Sequence, residues 1–303
     1  MIFEERKTPT QNIAFVALLS GINAVLTLVG AFFPLSFIVT ALVITAVNAV
    51  ATRLIKDSYI ALLFFGSLAL MIGFGFFNLS DTLFYAVPSL TSGVIFGYLS
   101  KKKLPLSLVI FISSLFFLLF TYLALIIVNL VFSFDIIGRT LTLIGLGNKE
   151  YARDIVPIFL YGYSLLSITT SSFLILELKK KLHDESVKEL PLVNEIATIV
   201  MGGISFALIN INVTASYLFL AFTLYFSLLT CPDLLRKRTI PYYIVVVVMF
   251  FGMLYLTAVI YPLIPEPYQL LSCSMIFFAI PITELLFSLI NLIKKKAKGK
   301  FGK

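Results

Sequence analysis

Ten runs of apolar residues, each close to the length of a membrane crossing, dominate this chain. They cover roughly 12–33, 35–52, 58–77, 82–99, 105–133, 156–178, 192–211, 213–231, 240–262 and 268–293. A hydrocarbon core of about 30 Å takes about 20 such residues in one helix. The runs are continuously apolar and lack the alternation of a membrane barrel, so they read as helices. Composition points the same way: 60% of the 303 residues are hydrophobic and 13% charged, with a mean hydropathy of +1.04. A soluble domain carries about 25% charged residues because it must coat its surface. The expectation is an all-α, polytopic transmembrane helix bundle of about ten spans. Two joins are tight, Phe33-Pro34-Leu35 and Asn210-Ile211-Asn212. A kink or re-entrant turn at either lowers the count to eight or nine.

Basic residues favour the cytoplasmic side of a membrane. With the N-terminus inside, the cytoplasmic face receives 20 of the 23 Lys and Arg residues, leaving Arg139, Lys149 and Arg153 outside. A miscounted span would have put a basic cluster on the wrong face. Both termini are therefore expected in the cytosol of a multi-pass protein of a bacterial plasma membrane. The net charge of +8 follows from this topology, with basic clusters lying against anionic lipids at about 1 kcal/mol per residue. The tail from Lys294 to Lys300 reads as a stop-transfer anchor or as a docking site for a partner. Nucleic-acid binding would need basic residues interleaved with exposed aromatic or polar readers, and no such segment occurs. The first run is too long for a signal-peptide core and its flank is of mixed charge, so it is expected to be a retained helix.

Catalytic chemistry finds little foothold. One histidine, His183, cannot build a His-based metal site, and Cys231 and Cys273 lie in apolar runs without a CxxC pair. There is no HExxH, GxSxG or P-loop motif. The chain is read as a non-enzyme with no cofactor and no metal. Any active transport would need an ATPase in other chains, or an ion gradient.

Small residues let membrane helices approach closely. The first span carries Ala14, Ala17, Gly21 and Ala24 as one narrow stripe, and the fourth carries Ser89, Gly93 and Gly97. Either stripe serves internal packing, or the first docks another membrane protein. Ionisable residues inside a membrane are functional hypotheses by default. Glu284, one turn after Pro281, is a proton or cation site, or a neutral hydrogen-bonded group. Glu195 and Glu177 are expected to snorkel or pair with lysine, and Asn23 and Asn48 to glue helices. At the outer face, Asn78 and Asp81 occupy a short loop with Tyr85 one turn on. Arg139 lies in the longest outer loop, 134–155, and Tyr161 and Tyr163 enter just after it. These six residues suit capture of a small solute, with a plain solvated loop as the alternative.

Two segments carry a family resemblance. The stretch from Ile13 to Val25, with its small-residue stripe, resembles the first helix of the substrate-capture (S) components of energy-coupling-factor transporters. The stretch from Pro88 to Leu99, followed by three lysines, resembles their fourth helix. Across its length the chain looks like the YybS-like family of uncharacterised membrane proteins. The resemblance implies an S-component-like fold for the first six helices. It implies docking of a transmembrane coupling subunit through Ala17, Gly21 and Ala24. It also implies solute binding under the outer loops near Pro34, Asn78 to Asp81 and 134–155. The back half, from about Leu192, departs from that pattern.

The expected organisation is a six-helix domain over 1–182 and a four-helix extension with a basic tail over 183–303. The expected function is a small-solute-binding or transport subunit without its own ATPase. Its partners would be membrane lipids, a coupling subunit, ATPase chains and an unidentified small molecule, with no nucleic acid. The alternative is a non-transporting scaffold or regulator that recruits partners through its helices and lysine-rich tail.

Overall fold

The computed structural model describes residues 5–33, 36–102, 104–133, 135–143, 147, 152–182, 193–236, 240–264, 269, 272 and 274–300. Among these residues there is no strand. The helices are α1 (Pro9–Phe32), α2 (Ser36–Leu54), α3 (Ile60–Phe74), α4 (Val87–Ser100), α5 (Leu106–Phe132), α6 (Ile136–Leu143), α7 (Ala152–Lys181), α8 (Val193–Leu208), α9 (Val213–Arg236), α10 (Ile240–Ile260) and α11 (Ala279–Lys300). The described residues of all ten apolar runs are almost entirely helical. Among the described residues, seven stretches are long and apolar enough to cross a membrane: Pro9–Phe32, Asp57–Asn78, Thr82–Ser100, Leu106–Phe132, Ala152–Leu178, Val213–Thr230 and Ile244–Leu263. The other three, Val39–Leu54, Val193–Leu208 and Ser274–Ile290, are apolar but shorter. The chain is an integral membrane protein with an all-α, polytopic fold.

Local chemistry sets the helix ends. Thr8 and Gln11 form a reciprocal capping box at the start of α1, with Pro9 in the first turn, where a missing N–H is harmless. The join at Asn210-Ile211-Asn212 is a tight turn between two helices. The Asn212 side-chain oxygen accepts from the Ala215 N–H at 2.9 Å and so caps α9. Residues Pro34 and Leu35 of the other tight join lie outside the described residues. The Ser36 hydroxyl, on the first residue of α2, donates to the Phe33 carbonyl at 2.6 Å. Part of the expected outer loop is also helical, since α6 occupies 136–143 and the Asp135 side chain caps it through the Gly138 N–H at 2.9 Å.

The chain divides into two compact units. The first comprises 1–148 and 159–189, the second 149–158 and 190–303. In the first unit, Val16, Ile44, Leu63, Met71, Tyr85 and Leu90 are part of one apolar core. The Gly93–Gly97 pair of α4 sits directly on the α2 backbone. A Cβ built on Gly93 would lie 2.5 Å from the Thr45 carbonyl oxygen, and one on Gly97 2.4 Å from that of Ala49. The small-xxx-small pattern is therefore an internal seam, which places the two helix backbones in contact. Beside it, a buried polar network ties α1, α2 and α3. The Asn23 amide donates to the Asn48 side-chain oxygen at 3.0 Å and to the Ser67 hydroxyl at 2.9 Å. The Asn48 amide donates back to Asn23 at 3.0 Å and to the Ile44 carbonyl at 2.7 Å. Ser20 and Ser67 share a further hydrogen bond of 3.1 Å. The expectation that these amides glue helices holds.

In the second unit, α8 and α9 form a hairpin locked by reciprocal serines. Ser205 donates to the Ser216 carbonyl at 2.8 Å and Ser216 to that of Ser205 at 2.7 Å. Tyr217 and Leu220 pack with Ile158, Phe206, Ile209 and Val213. Thr214 donates to the Asp154 carboxylate at 2.5 Å, which fixes the start of α7 within this unit.

Candidate functional site

The outer-face residues proposed for solute capture do not all remain available to a solute. After α3 the chain tightens into a 3-10 turn (Gly75–Asn78) and then widens into a π turn (Thr82–Ala86) before α4 begins. π turns are rare and often mark functional positions. Here the turn aims Tyr85 inward. Its hydroxyl donates to the Thr27 carbonyl at 2.7 Å, and the residue is 3% exposed. Its ring lies over Gly30, where a Cβ would come within 2.4 Å of the Tyr85 oxygen. Tyr85 is therefore a clamp between the π turn and α1. Thr82, nearby, is buried and donates to the Gly75 carbonyl at 3.3 Å.

Two of the other candidates, Tyr161 and Tyr163, are also interior groups. Tyr161 is 1% exposed on α7, with its hydroxyl directed at Ser114 of α5. Tyr163 meets Phe117 edge-on, with ring centroids 5.6 Å apart, and packs against the first unit's core. Asn78 is half-buried and accepts a long hydrogen bond from Ser80 at 3.4 Å. The side chains of Asp81 and Arg139 lie outside the described residues. The structure thus brings Tyr85 and Tyr163 onto one core. It uses these tyrosines as packing groups, because a large ring fills an interior well.

Three substitutions test the clamp. Tyr85→Phe removes one buried hydrogen bond and is expected to lower stability by about 1 kcal/mol. Gly30→Val forces the ring out of its seat, so it should lower the melting temperature further, and Tyr85→Ala in the same chain should restore part of the loss. Equal melting of wild type and Gly30→Val in detergent would rule the clamp out.

The α1 stripe divides between two environments. Ala24 is buried, whereas Ala14 and Ala17 are exposed and a Cβ on Gly21 would meet nothing within 4 Å. The inward face of α1 carries the polar Asn12, Ser20, Asn23 and Thr27 together with Ala24 and Gly30. Sequence reasoning missed Ser20, Ser67 and Thr27 as partners. A lone serine or threonine in an apolar run gives no sign of which helix it will face.

Glu284 is 1% exposed in α11, inside the second unit. Glu195 is 5% exposed, so of the two expectations for it, snorkelling or pairing with lysine, snorkelling does not hold. Among the described residues no three His, Cys, Asp or Glu side chains converge as a metal site would require. No protein-family model, curated protein or solved structure matches this chain.

Proposed function

We propose that this protein is a small-solute-binding or transport subunit of a bacterial plasma membrane, with both termini in the cytosol and no ATPase of its own. In this reading α1 docks a transmembrane coupling subunit, and the energy comes from ATPase chains bound to that subunit. One observation carries the proposal. Ala14, Ala17 and Gly21 form a shallow outward groove on α1, flanked by the exposed side chains of Ile13, Leu18 and Val25. Lipid gains nothing from such a groove, whereas a partner helix gains close backbone approach. Gly21→Leu fills the groove without touching the bundle. It is expected to leave the melting temperature unchanged and to cut copurification of partner chains at least tenfold in mild detergent. Undiminished copurification would remove α1 as the docking helix.

A second reading, a non-transporting scaffold or regulator, is favoured by the packing of Tyr85, Tyr161 and Tyr163. Three aromatic groups assigned to a solute mouth are already in use as interior contacts. Native mass spectrometry of the purified chain separates the two. A copurified small molecule supports the transport subunit, and partner chains that are lost on deleting residues 294–303 support the scaffold.

A further inference from the structure

The basic residues that the topology argument uses only as a count include five that converge in space. At the end of the first unit where α2 and α4 finish, a pocket of about 360 Å³ is lined by Arg6, Lys7, Arg53, Lys56 and Lys101, with Glu5 as its acidic member. That volume lies within the range of about 300–1,000 Å³ typical of ligand sites. Lys101 donates to the Ile55 carbonyl at 2.6 Å and to the Asp57 carboxylate at 2.7 Å. Among the described residues, five cations against Glu5 and Asp57 leave a surplus of three positive charges (5 − 2). The C-terminal end of α2 adds only about half a negative charge, so the surplus stands.

Three features separate this pocket from a fringe of solvated lysines. Arg53 is 8% exposed and lines the pocket with Glu5 as a nearby acidic charge, so it belongs to a wall and not to a solvated fringe. Its planar fork of N–H donors suits a phosphate better than a single point charge would. The walls are also held in place. The Arg6 N–H donates to the Leu54 carbonyl at 2.9 Å. The Asn12 amide donates to the Arg6 carbonyl at 3.0 Å and its oxygen accepts from the Lys56 N–H at 3.0 Å. The Arg6 guanidinium rests on the Phe15 ring, 4.3 Å from its centroid. Asn12 thus fastens the chain ahead of α1 to the α2–α3 turn, so little ordering remains to be done when a ligand arrives.

We propose that Arg6, Lys7, Arg53, Lys56 and Lys101 form a binding site for a phosphate-bearing anion, either a phospholipid headgroup or a soluble phosphate compound. This site stands whether the protein transports or scaffolds, since it uses none of the residues of the outer face.

The test uses the full chain in neutral detergent with two probes, dioleoyl phosphatidic acid and inorganic pyrophosphate, and dioleoyl phosphatidylcholine for comparison. Native mass spectrometry and thermal melting should show saturable binding of one probe molecule per chain, and weaker binding of phosphatidylcholine. Arg53→Gln and Lys56→Gln should each raise the Kd about tenfold or more. Lys56 is exposed, so its variant folds and keeps the test informative if Arg53→Gln does not. Binding of phosphatidic acid alone identifies a headgroup as the ligand, and binding of pyrophosphate as well identifies a soluble anion. The site is overturned if neither probe saturates, if Lys56→Gln binds like wild type, or if Lys295→Gln and Lys296→Gln in the tail weaken binding as much.

Discussion

Gly97→Leu is expected to yield no folded protein, and Gly97→Ala to melt well below wild type. The Cβ of an alanine at 97 would lie 2.4 Å from the Ala49 carbonyl oxygen, 2.7 Å from Thr52 Cβ and 3.1 Å from the Ala49 carbonyl carbon. Two of those three atoms are backbone, so no rotamer change relieves the overlap. Only separation of α2 from α4 does. That movement would open the seam along its length, because Gly93 sits just as closely on Thr45 one turn earlier. Overpacking of this kind costs about 1–3 kcal/mol for a methyl, and more for a leucine. The contrast with Gly21 gives the control, since a Cβ there meets nothing within 4 Å. Thermal melting and detergent yield of Gly97→Ala, Gly97→Leu and Gly21→Leu together check the account. An unchanged melt for Gly97→Ala would mean that the two backbones are not in contact.

Asn48→Leu should produce the second large effect. Asn23 and Asn48 exchange hydrogen bonds of 3.0 Å in both directions, and both residues are 0% exposed. Removing Asn48 leaves the Asn23 oxygen without that donor, in a place that neither water nor lipid can satisfy. An orphaned buried polar group costs about 1–3 kcal/mol, while hydrogen bonds between membrane helices average about 0.6 kcal/mol, with a maximum near 1.7. The orphaned oxygen adds a desolvation penalty to the lost bond, so a loss of about 2 kcal/mol is expected. Asn23→Leu combined with Asn48→Leu should cost less than the sum of the two single changes, because both members of the pair are then gone. A double-mutant cycle in detergent measures this. Strict additivity would show that the amides do not act as a pair.

These effects differ in how far a reader of the sequence can foresee them. Glycines at 93 and 97 advertise a close helix contact, yet the pattern does not say whether the partner is α2 or another protein. The stripe on α1 shows the same ambiguity resolved the other way, with Ala24 turned inward and Ala14, Ala17 and Gly21 turned out. Tyr85 reads as a mouth residue because it follows a polar loop. The π turn at Thr82–Ala86 rotates it onto Gly30, and no residue type announces that turn. Arg6, Arg53 and Lys101 lie far apart in the chain, and their meeting depends on the start of α1 lying beside the ends of α2 and α4.

The helical type and approximate limits of the long apolar segments were determined by the sequence alone. A segment in hydrocarbon must satisfy its own backbone hydrogen bonds, so about 20 apolar residues suffice to specify a helix without reference to any neighbour. Which face of each helix meets which partner was decided only by the tertiary structure. With lipid as apolar as leucine, the hydrophobic pattern no longer separates inside from outside. Close backbone contact at Gly93 and Gly97, the paired amides of Asn23 and Asn48, and the convergence of basic helix ends make that choice instead.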